Sequence, residues 1–170
     1  GIDTAIRAFE IVAKQCPGAR LTIAGSGPEE GGLRELVRAL GLDHSVSFCG
    51  RLTNEQVARL YQGADLLLNA SREDNSPNSL IEALACGVPV VSTNAGGIPF
   101  LVQDRVSALL VPVGGHVAMG AAALELIANK KLGDALVQAG AAIVKKFDKA
   151  AVSMAWCQEY ARVSSSIRGG

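Results

Sequence analysis

At 170 residues the chain is long enough to bury one substantial core and has the size of a single domain. Its 16 basic residues balance 16 acidic ones, so no global field draws nucleic acid or an anionic membrane surface, and nucleic acid is set aside as a partner. With 49% of residues apolar, only 4% aromatic and 19 glycines, the core is expected to be built from Ala, Val, Leu and Ile in a layered α/β domain.

The chain opens with Ile2, Ala5, Ile6, Phe9, Val12 and Ala13 at helical spacing, an amphipathic helix that Pro17 and Gly18 stop. Residues 21–24, Leu-Thr-Ile-Ala, read as a short buried strand. The turn Gly25-Ser26-Gly27-Pro28 follows it, then a helix carrying Leu33, Leu36, Val37 and Leu40. Residues 46–49 form the next strand, after which Thr53 and Gln56 have the spacing of a capping box for a helix with Val57, Leu60 and Tyr61 inward. Residues 65–69 and 88–93 are two more strands. The helix between them, around residues 80–85, ends at Gly87 as a C′ residue and at Pro89. A last strand over 108–111 leads into a helical carboxyl-terminal third containing Val117, Leu124, Ile127, Val137, Ile143, Val152, Trp156 and Tyr160. The expected domain covers 1–163, with a disordered tail over 164–170.

Strands that alternate with helices pair in parallel through right-handed crossovers, and each strand run is too apolar to leave one face wet. A doubly wound parallel sheet is therefore expected, with ligands at the carboxyl ends of its strands, in the loops after Ala24, Cys49, Asn69 and Thr93. Cys16, Cys49, Cys86 and Cys157 show no CxxC pair and no metal-ligand spacing. They read as free, buried thiols in a reducing compartment, and no metal is expected. No apolar stretch is long enough to span a bilayer, and Asp3 and Arg7 interrupt the first helix. Neither a signal peptide nor a membrane anchor is read, and a cytoplasmic location is expected.

The segment with the most chemistry runs from Ser71 through Asp74, Asn75, Ser76, Pro77, Asn78 and Ser79 to Glu82. It passes from a strand end through a polar loop into a helix, with Ser76 placed to cap that helix and Pro77 at its first position. The unpaired N–H groups beyond Pro77 form an anion site suited to phosphate. Asn78 and Glu82, four apart, share a helix face, so Asp74 and Glu82 can flank a bound anion. Carboxylates accept O–H donors without offering a competing proton, which suits vicinal sugar hydroxyls. A phosphorylated sugar is the implied ligand.

This stretch resembles the Glu-x7-Glu region of retaining GT-B glycosyltransferases of the group 1 (family 4) type, with Asp74 at the first position and Glu82 at the second. Gly25-Ser26-Gly27-Pro28 resembles the family's glycine turn, Phe48-Cys49-Gly50-Arg51-Leu52 its nucleobase loop, and Ser92-Thr93-Asn94-Ala95-Gly96-Gly97-Ile98-Pro99 its later glycine-rich loop. The resemblance covers nearly the whole chain. It implies a Rossmann-like C-terminal half of a GT-B fold that binds a nucleotide-diphosphate sugar as donor substrate, with no cofactor and no metal. By that implication Asp74 contacts the donor sugar, the amides of Asn75, Ser76, Asn78 and Ser79 hold the distal phosphate, and Glu82 grips the ribose. Gly25, Gly27, Arg51, Leu52, Gly96 and Gly97 complete the binding surface.

The sequence departs from the family in three ways. Asp74 stands in place of Glu, Pro77 removes one N–H donor, and Phe100 occupies a usually acidic position. Relatives also open with a strand and a Gly-Arg-Leu turn ending in Lys-Gly, whose cations clamp the diphosphate; this chain starts just after that point. The resemblance thus implies a sheet without its first, central strand, an unpaired edge through which a homo-oligomer could form, and a missing or separate acceptor-binding domain. Any peripheral membrane contact would lie in that missing part. Two readings stand: the donor-binding domain of a glycosyltransferase, incomplete alone, or a non-catalytic nucleotide-sugar-binding or assembly module. A sugar-nucleotide epimerase, which shares the architecture, would need acid/base residues that the sequence does not supply.

Overall fold

A computed structural model describes residues 1–148, 150, 152–154 and 156–158. Tyr160 and the expected tail over 164–170 lie outside the described residues. The helix α1 (Ile2–Gln15) buries Thr4, Ala5, Ile6, Ala8, Phe9 and Val12 along one side, the face that their three- and four-residue spacing dictates. The strand β1 (Leu21–Ala24) and helix α2 (Glu30–Ala39) follow, then β2 (Val46–Gly50) and α3 (Asn54–Gln62). The expected capping box at α3 is formed: Gln56 N–H donates to the Thr53 hydroxyl oxygen, and the Thr53 N–H donates to the Gln56 side chain at 2.8 Å. The chain continues through β3 (Leu67–Asn69), α4 (Asn78–Ala85), β4 (Val90–Thr93), α5 (Ile98–Leu101) and β5 (Leu109–Val111). The helices α6 (His116–Ala128) and α7 (Lys130–Val144) close the domain, with a 3-10 turn over Lys145–Phe147.

All the pairings between these strands are parallel. They form two separate ladders: β1 beside β2, with Leu21 opposite Val46 and Ile23 opposite Phe48, and a second sheet in the order β3-β4-β5. The central strand β4 is buried throughout. Val91 packs on one face with Ala5, Ala8, Met119 and Leu126 from α1 and α6. Val90 packs on the other with Leu80, Ala83 and Ile98 from α4 and α5. This second sheet is thus doubly wound, and side chains such as Ile6, Leu80 and Ile98 are fully buried, each contributing about 1.5–3 kcal/mol of transfer free energy.

The β1–β2 ladder corrects the expectation that no strand face would be wet. Leu21, Ile23, Val46 and Phe48 turn toward α1 and α2, while Thr22, Ala24, Ser47 and Cys49 are exposed on the opposite face. The reason is in the alternation, which places small or polar residues at every second position of both strands. The cysteines are corrected too. Those described carry free thiols, but Cys49, Cys86 and Cys157 are exposed and Cys16 only half-buried. Cys49 lies on the wet strand face and Cys86 is the C-cap of α4, so neither position reaches the core. A third core cluster, built around Ile6, Phe9, Val12 and Val37, collects Leu21 and Ile23 from β1 together with Leu66 and Leu68 beside and within β3. Helix α1 therefore bridges the two ladders by packing.

Candidate functional site

The loop from β3 to α4 is held from below by the strand ends. Asn69 Nδ2 donates to Ser92 Oγ at 3.0 Å, and Thr93 Oγ1 donates to the Ser71 carbonyl at 2.6 Å. The Ser71 hydroxyl lies 2.9 Å from Asn69 Oδ1 and 3.3 Å from Asp74 Oδ2; having one proton, it favours the nearer acceptor and serves the Asp74 carboxylate as the weaker partner. Arg72 reaches back to Asp3 at the start of α1, with Nη2 to Oδ2 at 2.7 Å. The half-buried Asp74 is thereby presented at the end of a polar relay rooted in the buried Ser92 and Thr93.

The glycine-rich loop after β4 closes onto this segment from the side. The Gly97 N–H donates to the Asp74 carbonyl at 2.9 Å. A Cβ on Gly96 would come within 3.2 Å of the Asp74 carbonyl carbon, and one on Gly97 within 2.9 Å of that of Asn75. Only residues without a side chain permit this approach, and Gly96 also has φ +49°. The four residues Asp74, Asn75, Gly96 and Gly97 are thus brought together.

Helix α4 starts one residue later than expected. Pro77, not Ser76, is the N-cap, with ψ 117° and no capping side-chain hydrogen bond. The buried Pro77 keeps an extended ψ while its carbonyl accepts from Leu80 N–H at 3.1 Å. The shift leaves the amides of Asn78 and Ser79 at the first turn without intrahelical acceptors. Asn75, Ser76 and Asn78 are exposed there, and Glu82 is exposed one turn further on. Helix α4 ends as expected: Gly87, at φ +74°, is the C′ residue, and Val88 N–H closes on the Ala83 carbonyl at 2.9 Å.

One residue beside the site, Tyr61, was read in the sequence only as an inward residue of α3. Tyr61 of α3 donates its hydroxyl toward the Ser79 carbonyl at 3.2 Å and Glu82 Oε2 at 3.4 Å. Burial pushes its phenol up to about 12, helped by the Glu82 charge and hydrogen bond. Ser92, at the head of the stretch that resembles the family's glycine-rich loop, accepts from Asn69 and so supports the site from below.

Gly25, Gly27, Arg51 and Leu52 form a separate group at the end of the β1–β2 ladder. Gly25, at φ +115°, donates its N–H to the Gly50 carbonyl at 2.7 Å, and Arg51 Nε reaches Ser26 Oγ at 3.2 Å. A cavity of about 250 Å3 lies here, lined by Ile2, Ala24, Gly25, Gly27 and Phe48 among others. The Arg34 guanidinium lies 4.4 Å from the centre of the Phe48 ring beside it. Among the described residues no hydrogen bond joins this group to the Asp74 group. Between them sits the start of α1, with Ile2 lining the cavity and a Cβ on Gly1 placed 2.7 Å from the Ala70 carbonyl carbon. Among the described residues no set of three His, Cys, Asp or Glu side chains is placed to hold a metal ion.

A parallel α/β layer with glycine loops and a polar helix entry gathered at its strand ends defines a Rossmann-like class of domain. Residues 1–129 match the family described as glycosyl transferases group 1, and the chain belongs to that family. It is 32% identical over 131 residues to the N-acetyl-alpha-D-glucosaminyl L-malate synthase of Bacillus anthracis, covering 77% of this chain and 34% of that protein. In structure it is similar to sucrose-phosphate synthase from Thermosynechococcus elongatus, with a TM-score of 0.86 and 28% identity over 98% of this chain and 43% of that one. It is also similar to the Anabaena protein HepE, solved in complex with UDP-glucose, with a TM-score of 0.80 and 25% identity over 96% of this chain and 44% of that one. The fold is the Rossmann-like C-terminal half of a GT-B glycosyltransferase. The chain spans about a third of the length of the curated relatives it matches.

Proposed function

We propose that this chain is the donor-binding domain of a retaining glycosyltransferase that takes its sugar from a nucleoside-diphosphate sugar. The observation that carries the reading is the clasp of Gly96 and Gly97 on the carbonyl groups of Asp74 and Asn75, which sets a half-buried carboxylate beside the open first turn of α4. In this reading Asp74 accepts hydroxyls of the donor sugar and the first amides of α4 hold the distal phosphate, with Asn75, Ser76, Pro77, Asn78 and Ser79 shaping that turn. Glu82 accepts the ribose hydroxyls. The cavity lined by Gly25 and Gly27 receives the base, with Arg51 and Leu52 in the loop that follows β2. The helix dipole and amides stabilise the departing diphosphate, and the sugar passes to an acceptor held by another domain with retention at the anomeric carbon. Exposed free thiols suit a reducing, cytoplasmic setting. Among the described residues no helix is long and apolar enough to cross a membrane.

A second reading, a non-catalytic nucleotide-sugar-binding module, has one observation in its favour. Arg72 is paired with Asp3 and Arg51 donates through Nε to Ser26, and these internal bonds compete with a role as a phosphate clamp. The unpaired edges of β1 and β3 offer a place for self-association under either reading.

Calorimetric titration with UDP, GDP and ADP and their glucose conjugates tests the common core of both readings. One base series should bind, and Glu82→Ala should weaken it. Equal, weak binding of all ligands by both proteins would sink the assignment. Transfer to a simple sugar acceptor by a longer protein that contains this domain, abolished by Glu82→Ala, would decide for the enzyme over the module.

A further inference from the structure

An exposed glutamate is a poor hydrogen-bond acceptor until its rotamer is fixed. Ordering a free Glu side chain costs up to about 1.5–2 kcal/mol, and a ligand that has to supply that ordering binds correspondingly less well. Glu82 is exposed on α4, yet one of its oxygens has a protein donor within reach: the Tyr61 hydroxyl, from the neighbouring α3, lies 3.4 Å from Oε2 and is the longer of the two bonds that hydroxyl makes. The tyrosine is itself anchored. Its ring packs at the edge of the cluster containing Leu80, Ala83 and Val88, and its hydroxyl also faces the Ser79 carbonyl at 3.2 Å. Ser79 is the second residue of α4, so a single phenol proton, shared between two acceptors, ties the first turn of the helix to the carboxylate one turn on. Among the described residues no protein donor reaches Glu82 Oε1.

We propose that Tyr61 is a positioning residue that holds Glu82 Oε2 and presents Oε1 to the ribose hydroxyls of the donor nucleotide. The inference rests on the ribose-binding reading of Glu82 given above. Its chemistry requires that the phenol stay protonated and donating. Burial and the adjacent carboxylate meet that requirement, since both oppose ionisation. Preorganisation of this kind acts on the ligand group that meets Oε1, and on no other part of the nucleotide.

The test compares a nucleoside diphosphate with its 2′,3′-dideoxy analogue, using whichever of UDP, GDP and ADP binds tightest, in wild type, Tyr61→Phe, Glu82→Ala and the double variant. Wild type should prefer the ribose form by about tenfold. Tyr61→Phe should weaken the ribose form about fivefold, leave the dideoxy form unchanged, and add nothing in the Glu82→Ala background. A purely packing role for Tyr61 would instead weaken both ligands alike and would add to Glu82→Ala; either result overturns the proposal. If wild type does not distinguish the two ligands, or Glu82→Ala keeps the preference, the ribose reading of Glu82 falls and this inference falls with it. If Tyr61→Phe alone changes nothing, only the inference falls. Should that variant fail to fold, fluorotyrosine labelling serves. The chain has two tyrosines, so Tyr160→Phe leaves one fluorine signal, which should shift on adding the ribose nucleotide and should not shift in Glu82→Ala. An unmoved signal in the Glu82-containing protein overturns the proposal as well.

Discussion

Gly97→Ala is the most direct probe of the clasp that forms the site. At Gly97 the backbone has φ −83°, which alanine adopts without strain, so the effect of the substitution is steric rather than conformational. The added Cβ would stand 2.9 Å from the Asn75 carbonyl carbon and 3.0 Å from its Oδ1. An unstrained carbon–carbon contact needs about 3.5–4.0 Å, and the added Cβ falls closer still to the Asn75 carbonyl oxygen, so the two loops have to separate by at least about 1 Å. The Oδ1 contact can be relieved by rotating the Asn75 side chain; the carbonyl contact is backbone and cannot. The Gly97 N–H to Asp74 bond at 2.9 Å resists the separation, and the strain passes along Asn75 and Ser76 to the first turn of α4. Overpacking of this kind costs about 1–3 kcal/mol of stability. If the α4 amides hold phosphate, moving them should weaken one or two charge-assisted bonds and lower nucleotide affinity by about 1.5–3 kcal/mol, tenfold to about a hundredfold. Denaturant unfolding gives the first quantity and calorimetry the second, on the same preparation. Wild-type affinity with a lowered unfolding midpoint would mean that the clasp supports the fold and has no part in the ligand site. An unchanged midpoint would refute the steric argument itself.

Other perturbations separate the roles. Glu82→Ala should weaken nucleoside-diphosphate binding by about 1–3 kcal/mol, because ribose hydroxyls would lose their acceptor; unchanged affinity in calorimetry would return Glu82 to an ordinary surface acid. Asp74→Ala should weaken the sugar nucleotide more than the bare diphosphate, and equal losses in the same titrations would refute the division of tasks. Gly32→Ala, inside α2 with nothing within 4 Å of the added Cβ, should stabilise the fold by about 0.5–1 kcal/mol in denaturant unfolding and leave nucleotide binding alone. The Tyr61 phenol is raised in the fold to about 12, so its contribution to stability is complete below its unfolded value and is lost as pH rises through the folded one. Wild type should therefore lose its advantage over Tyr61→Phe only above about pH 10, in unfolding midpoints followed against pH; a loss complete by pH 9 would contradict the assignment.

The alternation of elements was legible because it depends on local information. Apolar spacing marked α1 and α2, the Thr53 and Gln56 pair marked the start of α3, and Gly87 marked the end of α4. The segment from Asp74 to Glu82 was legible for a related reason, since a strand end, a polar loop and a helix start follow one another along the chain. What escaped depends on partners distant in sequence. The break between the β1–β2 ladder and the β3–β4–β5 sheet did not escape in this way: the resemblance implied a sheet without its first, central strand, although no periodicity records it. The short helix α5 was read as loop, because four residues including Pro99 carry too little pattern. The pairing of Tyr61 with Glu82 joins two helices 21 residues apart, and Tyr61 looked like one more inward residue of α3. The exposed cysteines misled because an average tendency to burial says nothing of a given strand face.

The two groups of candidate residues belong to different ladders, and this bears on how a nucleotide could span them. Gly25 and Arg51 are attached to β1 and β2, whereas Asp74, Glu82 and Gly97 are attached to β3, β4 and their helices. With no shared ladder, their spacing is set by what packs against both, and that is α1 together with α6. Ile6, Phe9 and Val12 sit in one cluster with residues of β1, β2 and the β3 segment, while Ala5 and Ala8 belong to the cluster under β4 and β5. Hydrophobic packing is less directional than a strand ladder, so the distance between the halves tolerates adjustment more readily than the geometry inside either one. The Arg72–Asp3 pair adds a polar tie at the site itself, but an exposed pair contributes at most about 1 kcal/mol. A ligand whose base sits in the cavity by Gly25 and whose phosphates sit at α4 would bridge both ladders, so its binding energy would act across the packing that joins them. Binding and the joining of the two halves should then be one equilibrium, in which each stabilises the other.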